Sequence, residues 1–123
     1  MNSVLWIIQA LLASAYLLFG GVHAFGRIDA VSKRVPWMTA LPLPVLRGVG
    51  IAELVGASGL ILPLATNILP WLTPTAAGGL VLVQVSALAF HAPRREYSSM
   101  AMNLVLLVLA AFVLYGRTML AVA

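Results

Sequence analysis

Every formal charge in this chain lies outside three long stretches that carry none. Residues 1–26, 54–93 and 97–116 contain no Asp, Glu, Lys or Arg. Seven basic and three acidic residues make up the whole charge complement, and most fall in two short segments, Arg27–Arg34 and Arg94–Glu96. A soluble fold of this length wets its surface with charge on every side. Here 63% of residues are hydrophobic, 8% are charged and the mean hydropathy is +1.07, so the solvent for most of the chain is lipid.

An apolar helix needs roughly 20 residues to cross the hydrocarbon core. Four such segments are expected, over about 4–25, 45–65, 72–92 and 99–116. Backbone groups in lipid must be satisfied within their own segment, which makes these spans helices. Pro63, Asn67, Pro70 and Pro74 break the long middle stretch and predict a tight turn between the second and third spans. The expectation is an all-α, four-helix transmembrane bundle forming one domain over 1–123. The first span lacks a basic segment ahead of it and is longer than a secretory signal core, so a retained helix is expected. Residues 27–44 are long for a link between packed helices. Ile28, Val31 and Val35 oppose Lys33 and Arg34, as in a short helix lying in the headgroup region, and an irregular loop anchored by Trp37 fits equally.

Both charged connections are basic, which places them in the cytoplasm and both termini outside. Trp6, Trp71 and Tyr115 then fall at the outer interface, Trp37 and Tyr97 at the inner one. The high isoelectric point, about 10.4, is in this reading a topology signal. No basic soluble face exists to hold nucleic acid. The absence of cysteine removes thiolate nucleophiles, disulfide relays and iron–sulfur ligation.

Ionisable groups inside a bilayer are costly unless neutralised or paired, so they mark candidate sites. Glu53 stands about eight residues into the second span, roughly 12 Å along its axis. Gly50 and Gly56 flank it on its own face, which turns the carboxyl into the bundle, and Gly48, Ala52, Gly56 and Gly59 make a small-residue stripe for close helix contact. Arg47 precedes Glu53 by six positions, roughly 120° round the helix, and suits an interfacial cation or a ligand contact. His23 and His91 end the first and third spans at the same level. Gln84 shares a face with His91, and Asn103 enters from the fourth span. Glu53, His91 and His23 are the candidate acid–base groups; Asn103, Gln84 and Arg47 are the candidate ligand contacts. Gln9 lies near the other surface as interhelical glue. No ligand spacing of the HxxxH kind appears, so no metal site is expected. Glycine-rich phosphate loops and nucleophile elbows are absent.

The second span, GIAELVGASGLILP at 50–63, resembles the DoxX-like family of small four-helix membrane proteins. So do PWLTP at 70–74, the His91…Arg94-Arg95-Glu96-Tyr97 junction and NLVLLVLAAFVLYGR at 103–117. The resemblance covers nearly the whole chain and puts Glu53, His91 and Asn103 on family-like positions. It implies a bacterial inner-membrane protein, because the family takes its name from a membrane subunit associated with thiosulfate:quinone oxidoreduction. Members commonly carry a lysine at the end of the first helix; Gly20-Gly21-Val22-His23 offers only a titratable imidazole. Three functions are consistent with these residues. One is a quinone- or isoprenoid-binding subunit or accessory of a membrane oxidoreductase. The second is a stand-alone acid–base enzyme acting on a lipophilic substrate by isomerisation, epoxide opening or cyclisation. The third is an assembly factor or chaperone. The expected partners are the bilayer, a membrane oxidoreductase and a second copy in a homodimer. Quinone is the one cofactor the resemblance suggests.

Overall fold

A computed structural model describes residues 1–120. Helix α1 spans Asn2–Phe25, α2 Ile28–Val31, α3 Leu43–Thr66, α4 Leu72–His91 and α5 Tyr97–Tyr115. A 3-10 turn covers Pro36–Thr39, and α5 widens into a π-helical turn over Gly116–Leu120. Among the described residues, α1, α3, α4 and α5 with its extension are long and apolar enough to cross a membrane. Their outer faces carry exposed Ile7, Leu11, Leu18, Ile51, Val55, Leu62, Leu82 and Val108, which lipid, not water, must cover. The protein is an all-α integral membrane protein. The segment between α1 and α3 forms only one short helix and the 3-10 turn.

The long helices pack in the order α1, α3, α4, α5, with a sparse seam where α5 returns to α1. A shared core of Leu12, Tyr16, Ala57, Leu60, Ala77, Leu80, Leu106, Ala110 and Val113 fills the middle. Two glycine crossings set the geometry. At the charged-loop end, Gly20 of α1 meets Gly50 of α3. A Cβ on Gly20 would lie 2.9 Å from the Gly50 carbonyl oxygen, and one on Gly50 would run into the backbone of His23 and Ala24. At the opposite end, Gly56 accepts the Leu80 side chain and Gly59 accepts Ala76. The expected single stripe is therefore split. Gly50 faces α1, Gly56 and Gly59 face α4, and Gly48 and Ala52 are exposed, with open space beside Gly48.

The proline-rich turn is shorter than the sequence suggests. Pro63 sits inside α3, which runs on to Thr66 and stops at Asn67 in the left-handed conformation, φ 56°. Pro74 occupies the first turn of α4, where a backbone N–H has no helical partner to lose. Pro63 removes the N–H that would bind the Gly59 carbonyl. The Thr73 hydroxyl donates to that carbonyl at 2.9 Å, and Gln9 Nε2 donates to the next one, Leu60, at 2.6 Å. Both side chains are fully buried. A proline is tolerated in this helix because a neighbouring helix supplies the missing donor, the Thr73 hydroxyl.

Candidate functional site

His23 lies one turn beyond Gly20, and Glu53 one turn beyond Gly50. The glycine crossing therefore delivers the two side chains to each other. His23 Nδ1 and Glu53 Oε1 stand 2.5 Å apart, with the residues 9% and 4% exposed. One proton is shared across that contact, donated by the imidazole to a carboxylate or by a carboxylic acid to the imidazole. The contact is almost fully buried, which limits its screening by water.

Arg47 does not join the couple. Its Nη1 donates to the His23 main-chain carbonyl at 3.3 Å, satisfying one of the free carbonyls at the end of α1. His91 is also held elsewhere. Its Nδ1 lies 2.8 Å from Glu96 Oε1, and Arg94 Nε donates to the same oxygen at 3.0 Å. The hydrogen bond from His91, then that from Arg94, keeps the Glu96 carboxyl below its ordinary range. Arg95, at φ 56°, turns the chain so that Glu96 folds back onto His91. Two histidine–glutamate pairs thus stand at the charged-loop end, one inside the bundle and one at its rim.

Trp37 joins them. Its ring is edge-on to His23 at 5.6 Å, to His91 at 4.9 Å and to Phe90 at 6.1 Å. The loop that holds Trp37 is expected to anchor at the interface and to be able to roof a pocket; the 3-10 turn carries the ring inward, half-buried, over both pairs. Tyr16 is the second residue the sequence did not reveal. It is fully buried, and its hydroxyl accepts from Gln84 Nε2 at 2.8 Å. Gln84 Oε1 and Asn103 Nδ2 are buried without any hydrogen-bond partner.

Two clefts open on either side of this centre. One, of about 420 Å³, lies between α3 and α4, with Leu46, Val49, Val83 and Phe90 in its walls. The other, of about 490 Å³, lies at the α1–α5 seam, with Phe19, Val22, Met102 and Leu106. His23, Trp37, Glu53, Gln84, His91 and Asn103 line both. The six form a polar partition between two apolar spaces. Among the described residues no group of three or more His, Asp or Glu is placed to hold a metal ion.

At the opposite end the α1–α5 seam is tied shut, and an apolar cleft of about 390 Å³ lies between α3 and α4, walled by Gly59, Pro63, Leu72 and Ala76. Arg117 Nε donates to Gln9 Oε1 at 2.6 Å and Nη1 to Asn2 Oδ1 at 2.7 Å, while the guanidinium lies 5.4 Å from the Trp6 ring centre. Gln9, expected as glue, ties α1 to α3 and to the end of α5 together. Arg117 shuts the α1–α5 seam that stays open at the other end.

No curated protein and no solved structure matches this chain. A family model described as the DoxX-like family matches residues 7–113, which take in all of α3 and α4, most of α1 and α5 and every residue of the polar partition. The chain belongs to the DoxX-like family.

Proposed function

We propose that this protein binds a lipid-soluble, quinone- or isoprenoid-like ligand at the partition around Glu53, and that it serves a membrane oxidoreductase system as a subunit or accessory. One observation carries the reading: a buried histidine–glutamate couple shares its walls with two apolar clefts and two unpartnered amide atoms. Buried polar atoms are normally paired, so a pair of spare ones beside apolar space suits a partly polar guest. Asn103, Gln84 and the His23–Glu53 couple would hold the polar end. A quinone, when bound, would supply two-electron chemistry. The protein residues would supply hydrogen bonds and a place to hold a proton, at Glu53 Oε1 or His23 Nδ1. We place the charged loops in the cytoplasm, the termini outside and the protein in a bacterial inner membrane.

The test is complementation. In membranes lacking the protein, the wild type should restore quinone-linked electron transfer. Glu53→Gln should accumulate to the same level, melt at the same temperature in detergent and restore nothing. If Glu53→Gln restores full activity, Glu53 has no part in it. If the variant fails to fold, the carboxyl is a structural strut.

The 2.5 Å couple also favours a second reading, a self-sufficient acid–base enzyme with Glu53 as general acid and His23 as its partner. Turnover of an added lipophilic substrate by the purified protein, with no redox partner present, would select it.

A further inference from the structure

The clefts carry enough detail to specify the chemistry of the ligand's polar end, an inference that rests on the ligand-binding reading above. Gln84 Nε2 is committed to the Tyr16 hydroxyl, which leaves Oε1 as an unpaired acceptor. Asn103 Nδ2 is an unpaired donor. Both side chains line both clefts. These two atoms therefore lack one donor and one acceptor, the complement of a hydroxyl group. Charge narrows the class further. Among the described residues no lysine or arginine lines either cleft. Arg47 is committed to the His23 carbonyl and Arg94 to Glu96, and Lys33, Arg34 and Arg95 lie outside both linings. Each histidine is held against a glutamate. An anionic head would meet Glu53 with no lysine or arginine in the lining to offset its loss of hydration.

We infer that the ligand's polar end is an uncharged hydroxyl, donating to Gln84 Oε1 and accepting from Asn103 Nδ2. Lipid-soluble alcohols, phenols and the reduced, dihydroxy form of a quinone fit this requirement. A purely carbonyl or ether head leaves Gln84 Oε1 unpaired, and a carboxylate or phosphate head is excluded by charge. Leaving one buried acceptor unsatisfied lowers affinity by about tenfold.

The experiment uses the whole protein in lipid nanodiscs and native mass-spectrometric titration with three probes of one hydrocarbon skeleton: farnesol, its methyl ether and farnesoate. Farnesol should bind about tenfold more tightly than the ether, with the carboxylate weakest. Gln84→Met should bring farnesol down to the level of the ether. Asn103→Leu, at a half-exposed position, should weaken both and leave their ratio standing. Should Gln84→Met not fold, the wild-type ratio and Asn103→Leu still decide. Equal or tighter binding of the ether overturns the hydroxyl assignment; the Gln84 amide would then present Nε2 to the ligand. Preference for farnesoate overturns the charge assignment. Equal binding of all three leaves the lipophilic-ligand reading intact and removes only this inference. A wild type that takes up none of them defeats both.

Discussion

The two ends of the bundle bury similar polar side chains and use them differently. At the end away from the charged loops, Gln9 and Thr73 donate to the carbonyls of Leu60 and Gly59, and Arg117 closes over Gln9 and Asn2. One guanidinium nitrogen aside, each group serves the backbone or another side chain, and the cleft between α3 and α4 on that side is lined by apolar residues and Thr75. At the charged-loop end the polar groups form acid–base pairs. Two amide atoms are unused, and the helices separate into two clefts. Burial of polarity in a membrane helix therefore says little by itself. What distinguishes a strut from a site is whether the hydrogen-bonding capacity is exhausted.

The contrast can be broken most severely at Gly50. The backbone of His23 and Ala24 stands where a side chain would go, so Gly50→Leu should prevent α1 from docking on α3. Loss of the monodisperse species in size-exclusion chromatography would register this. A folded, ligand-competent Gly50→Leu would mean that the crossing does not place the couple.

The next effect belongs to the opposite end. Thr73→Val should destabilise the protein by about 1 kcal/mol, because the Gly59 carbonyl loses its donor inside the bilayer. Pro63→Ala restores a backbone N–H to that carbonyl, so Thr73→Val should cost almost nothing in the Pro63→Ala background. Thermal melts of the four proteins make a double-mutant cycle. Additive effects would show that the threonine does not compensate for the proline. Glu53→Gln sits on the other side of the comparison. It should change stability by less than about 1 kcal/mol, since an amide still hydrogen-bonds beside His23, and yet remove ligand retention.

The smallest effect concerns the rim. Glu96 titrates below the usual glutamate value of 4.5 because His91 and Arg94 hydrogen-bond its carboxylate. Its contribution to stability is complete above that ordinary value and fades as the pH falls through the lowered one. The melting temperature of the wild type should therefore decline only below the ordinary value of 4.5, and Glu96→Gln should flatten part of the decline. Identical profiles would remove the rim pair from the energetics.

Much of the fold was legible because charge cannot hide in lipid: the spans follow from where Arg, Lys, Asp and Glu are missing. Glu53 could be turned inward from Gly50 and Gly56 on its own face. The partners were less legible. Lipid-facing and core-facing positions are both apolar here, so periodicity does not separate Tyr16 or Leu60 from the exposed residues around them. Pro63 read as a turn because the donor that replaces its missing N–H, the Thr73 hydroxyl, comes from another helix. Trp37 read as the anchor of a loop able to roof a pocket, and nothing in RVPWM announces that a 3-10 turn carries the ring inward. His91 was a candidate partner for Glu53 by its level in the membrane. A left-handed Arg95 returns Glu96 to it instead.

Native mass spectrometry of gently purified wild type and Glu53→Gln tests the central claim most directly. The wild type should carry one uncharged, lipid-soluble hydroxyl compound per chain, and the variant, equally folded, should carry none. Equal occupancy in both proteins, or none in either, would contradict the assignment of the His23–Glu53 centre as a ligand site.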